Sequence, residues 1–203
     1  MSEEKKRIEV PQWAFEFHGH YCPFMPLGYR IGIRALERLG VEREKDHTLH
    51  VFSDLGMGHP QGCLLDGIMA ATGATIGKGL VQKDFKGKLA HTFWYPGKTP
   101  IRYVLKPSFL DGLGRFEFFN RRMAGTPPSQ VPKELCDEVI AWIDSLSDDE
   151  IYVFSERPDF DYAPPRGSFN KSLCAGCGEY VFERYTRLKD GKPYCMDCAG
   201  YGE

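Results

Sequence analysis

Apolar residues recur every four positions along residues 26–39. Leu27, Ile31, Ala35 and Leu39 form a stripe with Leu36 beside it, while Arg30, Arg34, Glu37 and Arg38 are polar. That spacing predicts an amphipathic helix with Gly40 as its stop. Gly28 and Gly32 lie one turn apart on it, so a second backbone can approach closely. Residues 63–76 are small and apolar and predict a buried helix in which Gly67, Ala70, Ala71, Gly73 and Ala74 allow close packing. Residues 132–146 predict a third helix, with Leu135, Val139, Trp142, Ile143 and Leu146 as its stripe. A short helix is expected over 11–17, with Trp13 and Phe17 stapling the N-terminus.

Strands are expected at 48–55, 88–95, 101–106 and 151–155, the middle two joined by a turn at Pro96-Gly97. Residues 109–123 fit neither period. The elements lack the regular spacing of repeated βαβ units, so the expected class is α+β, a mixed helix and antiparallel-sheet core.

Residues 157–172 are rich in Pro, Asp, Gly and Ser and are read as a linker between a core domain at 1–156 and a small module at 173–203. The module carries Cys174-x-x-Cys177 and Cys195-x-x-Cys198. Each pair makes a tight knuckle, and two knuckles complete a tetrahedron of thiolates. A structural zinc is expected there, with an iron–sulfur cluster or rubredoxin-like iron as the alternative. The metal would supply folding energy that so short a module cannot obtain from a core. Residues 180–188 are expected to form a hairpin, and Asp190-Gly191 a turn.

Composition adds limits. The 203 residues are 42% hydrophobic and 27% charged, with a net charge of -2, which suits a globular protein and gives no overall signal for nucleic acid. The charged start, residues 1–7, has no apolar h-region, and no apolar run approaches the ~18–20 residues that span a bilayer. A cytoplasmic protein without a membrane segment is therefore expected. Seven cysteines, four in CxxC pairs, favour metal binding over disulfides in such a compartment. Cys136 is read as a buried small hydrophobe.

The remaining chemistry concentrates in His18, His20 and Cys22, just before the first long helix, and in Cys63 at the head of the second. Pro23 disfavours the α conformation at Cys22. If 18–22 is extended, the three side chains face one way, neighbours two apart are separated by ~6.6 Å, and His18 and Cys22 by ~13 Å. His20 and Cys22 are then the favoured ligands. His18 can join them only if the chain bends at Gly19, or can support them from behind. With Cys63, they would make a zinc or transition-metal site with an open fourth position. The metal-free alternative is a cysteine nucleophile with a histidine base. Asp66 shares a helix face with Cys63. His47, His50, His59 and His91 are assigned structural roles, His59 being the candidate exception.

The phrase FHGHYCPFMPLGYRIGIRAL resembles the opening motif of the FmdE family, named for the E component of formylmethanofuran dehydrogenase. Cys63-Leu-Leu-Asp66-Gly-Ile, then Thr72-Gly73-Ala74-Thr75-Ile76-Gly77-Lys78-Gly79, resembles its second motif, and Asp84 to Ala90 the segment after it. Phe24 stands where the family has Gly, Ala74 replaces a thiol, and the family's upstream acid has no counterpart beyond nearby Asp54. Several members also end in a zinc finger. The resemblance implies a dimeric α+β core with a site at His18, His20, Cys22, Cys63 and Asp66. Thr72, Thr75, Lys78 and Lys88 are possible additions, the lysines as contacts for an anionic ligand. The family's namesake chemistry on methanofuran is not implied, because no pterin or iron–sulfur framework is present. Two functions remain open: an enzyme or enzyme-accessory protein acting on a small molecule or metal, and a regulatory protein whose finger binds nucleic acid or a partner.

Overall fold

The computed structural model describes residues 8–57 and 62–201, and its contacts divide between Asp161 and Tyr162 into two compact units. In the first unit the order is α1 (Gln12–His18), α2 (Phe24–Leu39), β1 (His50–Ser53), α3 (Gly62–Thr72), β2 (Val81–Lys83), β3 (Ala90–Trp94) and β4 (Ile101–Leu105). There follow α4 (Pro107–Leu113), α5 (Glu117–Met123), α6 (Lys133–Ser145), α7 (Asp148–Ile151) and β5 (Tyr152–Glu156). The class is α+β, as the hydrophobic patterns predict.

The strands form one sheet in the order β2-β1-β3-β4-β5. All its pairings are antiparallel except β1 with β2, which is parallel, with Val51 opposite Val81. The expected mixed helix and antiparallel-sheet core is present, with one parallel pair at its edge. At three residues, β2 is too short to declare a period, and a parallel neighbour requires the crossover that α3 supplies. Strand β1 is buried at all four positions rather than on alternate ones. One face is closed by Phe160, whose ring meets that of Phe52 at 4.9 Å.

Helices α2 and α3 make the central packing. A Cβ on Gly28 would stand 1.9 Å from the Leu64 carbonyl oxygen, and one on Gly67 would stand 2.1 Å from that of Met25. Only glycine permits this crossing, and it brings the N-terminal ends of the two helices together. In helix α1, Ala14 is the fully buried residue, while Trp13 and Phe17 are 46% and 59% exposed, Trp13 lying under the Arg43 guanidinium at 5.7 Å; the N-terminus they are expected to staple lies outside the described residues. The stretch without a clear period, 109–123, becomes two seven-residue helices separated by a break at Phe116, which explains the lost periodicity. In α6, Val139, Ile143 and Cys136 are buried, and Trp142 stacks on Phe109 with ring centroids 5.3 Å apart.

Arg30 and Arg34, on the polar face of α2, converge on Asp148 at the start of α7, with Nε–Oδ distances of 2.8 and 2.9 Å. Burial works against the Asp148 carboxylate, but Tyr152 and the two guanidinium groups outweigh it and lower its pKa. A carboxyl whose folded-state pKa lies below its unfolded value adds stability above the unfolded value, and loses it as pH falls through the folded one. The expected result in thermal melts is a decline below about pH 4. Asp148→Asn should cost ~2 kcal/mol near neutrality and flatten that decline.

The second unit holds β6 (Lys171–Leu173), β7 (Tyr180–Phe182), β8 (Arg187–Lys189), β9 (Lys192–Tyr194) and α8 (Met196–Ala199). The expected hairpin at 180–188 is corrected. Residues 180–182 pair back to β6, 187–189 pair forward to β9, and a 3-10 turn at Glu183–Tyr185 separates them. The Asp190-Gly191 turn closes the second hairpin with both residues at positive φ, 51° and 73°.

Candidate functional site

Three helix ends converge on one point. Helix α1 runs through His18 and stops at Gly19, whose φ of 85° turns the chain sharply and whose N–H donates to the Phe15 carbonyl oxygen at 2.9 Å. His18 is therefore helical rather than part of an extended 18–22 segment, correcting the expected ~13 Å separation from Cys22. The His18 and His20 rings meet with centroids 4.2 Å apart. Cys22 lies just before α2, and Cys63 in the first turn of α3. One ligand atom from each of His18, His20, Cys22 and Cys63 falls within 4.8 Å of all the others.

The electrostatics are internally consistent. His18 Nδ1 lies 2.8 Å from Asp66 Oδ2, leaving a buried Nε2 with no hydrogen-bond partner among the described residues. Burial opposes the charged His18 ring, but Asp66 and Cys63 more than offset it and raise its pKa to about 9. Contact with the Cys22 thiol draws the Cys63 thiol far down, against the effect of burial and with help from His18 and His20. The same contact, together with burial, pushes Cys22 up. His20 is lowered by burial and by His18, and its Nε2 is 3.9 Å from Cys63 Sγ.

Two thiols and two imidazoles suit zinc or a late first-row cation. An imidazole whose rear N–H meets a carboxylate is the usual support of a metal-ligating histidine. The donor set admits two arrangements: all four side chains, or His20, Cys22 and Cys63 with one position open. These three line a cavity of about 320 Å³, and His18 does not.

The far wall comes from α5 and its neighbours: Phe24, Phe118, Phe119, Met123, Pro128 and Arg122. Sequence reasoning missed this wall, because 109–123 carries no clear period and Phe24 reads only as a departure from the family motif. Two of the expected additions lie elsewhere. Lys78 Nζ donates to the carbonyl oxygens of Gly73 and Glu44, at the opposite end of α3 from Cys63. Lys88 is exposed before β3 and does not line the cavity. Neither stands where it would contact an anionic ligand held in this cavity. Thr72 bonds the Ile68 carbonyl, and Thr75 accepts from the Lys78 N–H, so both serve the local backbone. Asp54 is buried in an ion pair with Arg102 and Lys86, at 2.5 and 3.0 Å.

Of the other histidines, His91 is sealed in the core, where burial lowers its pKa to about 3, and His50 packs on Trp94 at 5.6 Å. The exposed His47 places Nδ1 3.2 Å from the Lys78 carbonyl oxygen. His59 lies outside the described residues.

In the second unit, Cys174, Cys177, Cys195 and Cys198 also place their sulfurs within 4.8 Å of one another. The N–H groups of Cys195 and Gly176 point at Cys174 Sγ from 3.2 and 3.4 Å, and that of Cys198 at Cys195 Sγ from 3.4 Å. A Cβ on Gly176 would stand 2.8 Å from Cys198 Sγ, so the knuckle requires glycine. Four clustered sulfurs, two of them already receiving N–H groups, fit a tetrahedral zinc.

Comparison with known proteins agrees with this division. A family model described as the prokaryotic dksA/traR C4-type zinc finger matches residues 167–202. A protein of Archaeoglobus fulgidus named as a probable S-adenosyl-L-methionine-binding protein is 31% identical over 92% of this chain. The chain spans about half the length of that curated relative, 51%. A tungsten formylmethanofuran dehydrogenase FmdE-like protein from Syntrophus aciditrophicus shares the fold. Its TM-score is 0.54 at 17% identity, covering 92% of this chain and 88% of that one. The family model described as FmdE, molybdenum formylmethanofuran dehydrogenase operon, matches residues 17–153, and the chain belongs to that family.

Proposed function

We propose that the FmdE unit is a metal-dependent centre, an enzyme or enzyme-accessory protein, that receives a small molecule in the 320 Å³ cavity. The observation that carries this reading is the His18–Asp66 pair. It leaves a buried imidazole nitrogen aimed among three further ligands, and those three face the cavity. In this reading His20, Cys22 and Cys63 hold the cation. His18 completes the set or yields to ligand, and Asp66 fixes the His18 tautomer. A bound zinc or transition metal would supply Lewis acidity at the cavity floor. The apolar wall excludes water from that point, and the N-terminal end of α3 favours a thiolate at Cys63.

Metal counting on the full chain tests the proposal. Two ions per chain are expected, falling to one in Cys22→Ser or Cys63→Ser. Asp66→Ala should weaken the second ion roughly 10–100-fold without removing its ligands. One ion per chain, unchanged by either cysteine substitution, contradicts the reading.

The name of the Archaeoglobus relative suggests S-adenosylmethionine as a ligand worth titrating. No carboxylate among the described lining residues would pair with its sulfonium, although Phe118 and Phe119 offer aromatic faces.

A regulatory reading is favoured by the dksA/traR-type finger, which bears exposed Phe182, Tyr185 and Leu188 beside Arg187 and Lys189. Nucleic-acid binding that weakens steeply with salt would support it. No helix of the described residues is long and apolar enough to cross a membrane. We place the protein in the cytoplasm as a homodimer. Sedimentation equilibrium should return twice the 23.1 kDa chain mass, and a monomer at all concentrations contradicts the dimer.

A further inference from the structure

The cavity above the His/Cys cluster is chemically lopsided. Its wall away from the cluster is apolar, with Phe24 edge-on to Phe119 at 5.8 Å, and Phe118 edge-on to Phe119 at 5.1 Å. Met123 and Pro128 extend that surface. Into it projects one guanidinium, Arg122, half-buried on the last turn of α5. No aspartate or glutamate is among the described lining residues. Arg122 has no carboxylate partner among the described residues either. Its Nη1 donates to the Thr126 carbonyl oxygen, which fixes the head group and leaves Nε and Nη2 without a hydrogen-bond partner among the described residues. Arg122 lines the same cavity as His20, Cys22 and Cys63, so the guanidinium shares their pocket. The N-terminal ends of α2 and α3 add positive potential at the same end of the cavity.

An unpaired cation inside an apolar pocket is costly unless its ligand brings the counter-charge. We propose that the cavity takes a compact organic carboxylate. The carboxylate pairs with the Arg122 fork, and an aromatic or aliphatic body packs on Phe118, Phe119 and Met123. A volume of about 320 Å³ lies at the small end of ligand pockets, which suits one ring or a short chain rather than a dinucleotide. A single arginine matches one planar carboxylate in bidentate fashion, whereas a phosphate dianion would want further donors. The inference names the ligand class of the metal-dependent pocket proposed above and rests on that reading for its chemistry, but not for its affinity.

The test uses the full chain, 3-phenylpropionate and the uncharged 3-phenylpropionamide, with binding followed by calorimetry. The carboxylate should bind at least tenfold more tightly than the amide. Arg122→Gln should abolish that preference while melting at the wild-type temperature, and Phe119→Ala should weaken both probes. Equal binding of the two probes, a preference that survives Arg122→Gln, or no carboxylate binding by about 10 mM overturns the inference. A metal count beside each titration separates the two proposals. An Arg122-dependent preference with one ion bound supports the carboxylate site against the metal reading. No preference with two ions bound overturns the carboxylate site and leaves the metal reading standing.

Discussion

Cys174→Ser should unfold the second unit while leaving the first intact. Amide resonances of 171–199 should collapse to random-coil positions, those of 12–156 should keep their dispersion, and a strong chelator should do the same to the wild type. The size of the effect follows from how little else holds this unit. Among its described residues only Cys174 is buried, and Leu173, Tyr180, Phe182, Leu188 and Tyr201 are exposed. Its sheets are two hairpins with three residues per strand. Hairpins this short are marginal by themselves. Apparent zinc-binding energies of roughly 10–16 kcal/mol in such modules are therefore folding energy. Dispersed 171–199 resonances in metal-free protein would contradict a structural role for the metal.

Gly67→Ala, like Gly28→Ala across the same crossing, should be among the most damaging single methyls in the first unit. The new Cβ would meet the Met25 carbonyl oxygen at 2.1 Å and the Tyr29 nitrogen at 2.6 Å. Both obstacles are backbone within α2, so no rotamer change relieves them. Overpacking of this kind costs about 3 kcal/mol or more, and should lower the melting temperature by roughly 6–12 °C. It should also reduce metal uptake at the His/Cys cluster, because the crossing at Gly28 and Gly67 sets the distance between Cys22 and Cys63. Gly77→Ala is the control: nothing lies within 4 Å of its Cβ position, and its φ is not positive. A Gly67→Ala protein with wild-type stability would mean the helices cross less tightly than the structure places them.

What the sequence made legible follows from the range of the forces involved. The α2 stripe, the glycines at the crossing and the CxxC knuckles are local patterns, and each predicts its element directly. The convergence of His18 with Cys22 was only half legible. Gly19 was readable as a place to bend, but the helix that carries His18 up to it rests on Ala14, one buried residue in an otherwise ambiguous stretch. Strand β2 was hidden because three residues declare no period. The cavity wall was hidden for a different reason. Phe118, Phe119 and Arg122 sit on a seven-residue helix, and they meet Cys63 only through the tertiary packing of α5. Lys78 and Lys88 came from the family resemblance rather than from geometry. Neither lines the cavity, and the one cation among its described lining residues, Arg122, belongs to no part of that motif.

The most direct measurement is anomalous scattering at the zinc and first-row metal edges from a crystal of the full chain. The expected map has two peaks per chain. One lies among Cys174, Cys177, Cys195 and Cys198. The other is bonded to Cys22, Cys63 and His20, with its remaining position either filled by His18 Nε2 or open toward the cavity. A single peak at the four C-terminal cysteines, with Cys22 and Cys63 unligated in metal-replete crystals, would contradict a metal centre in the FmdE unit.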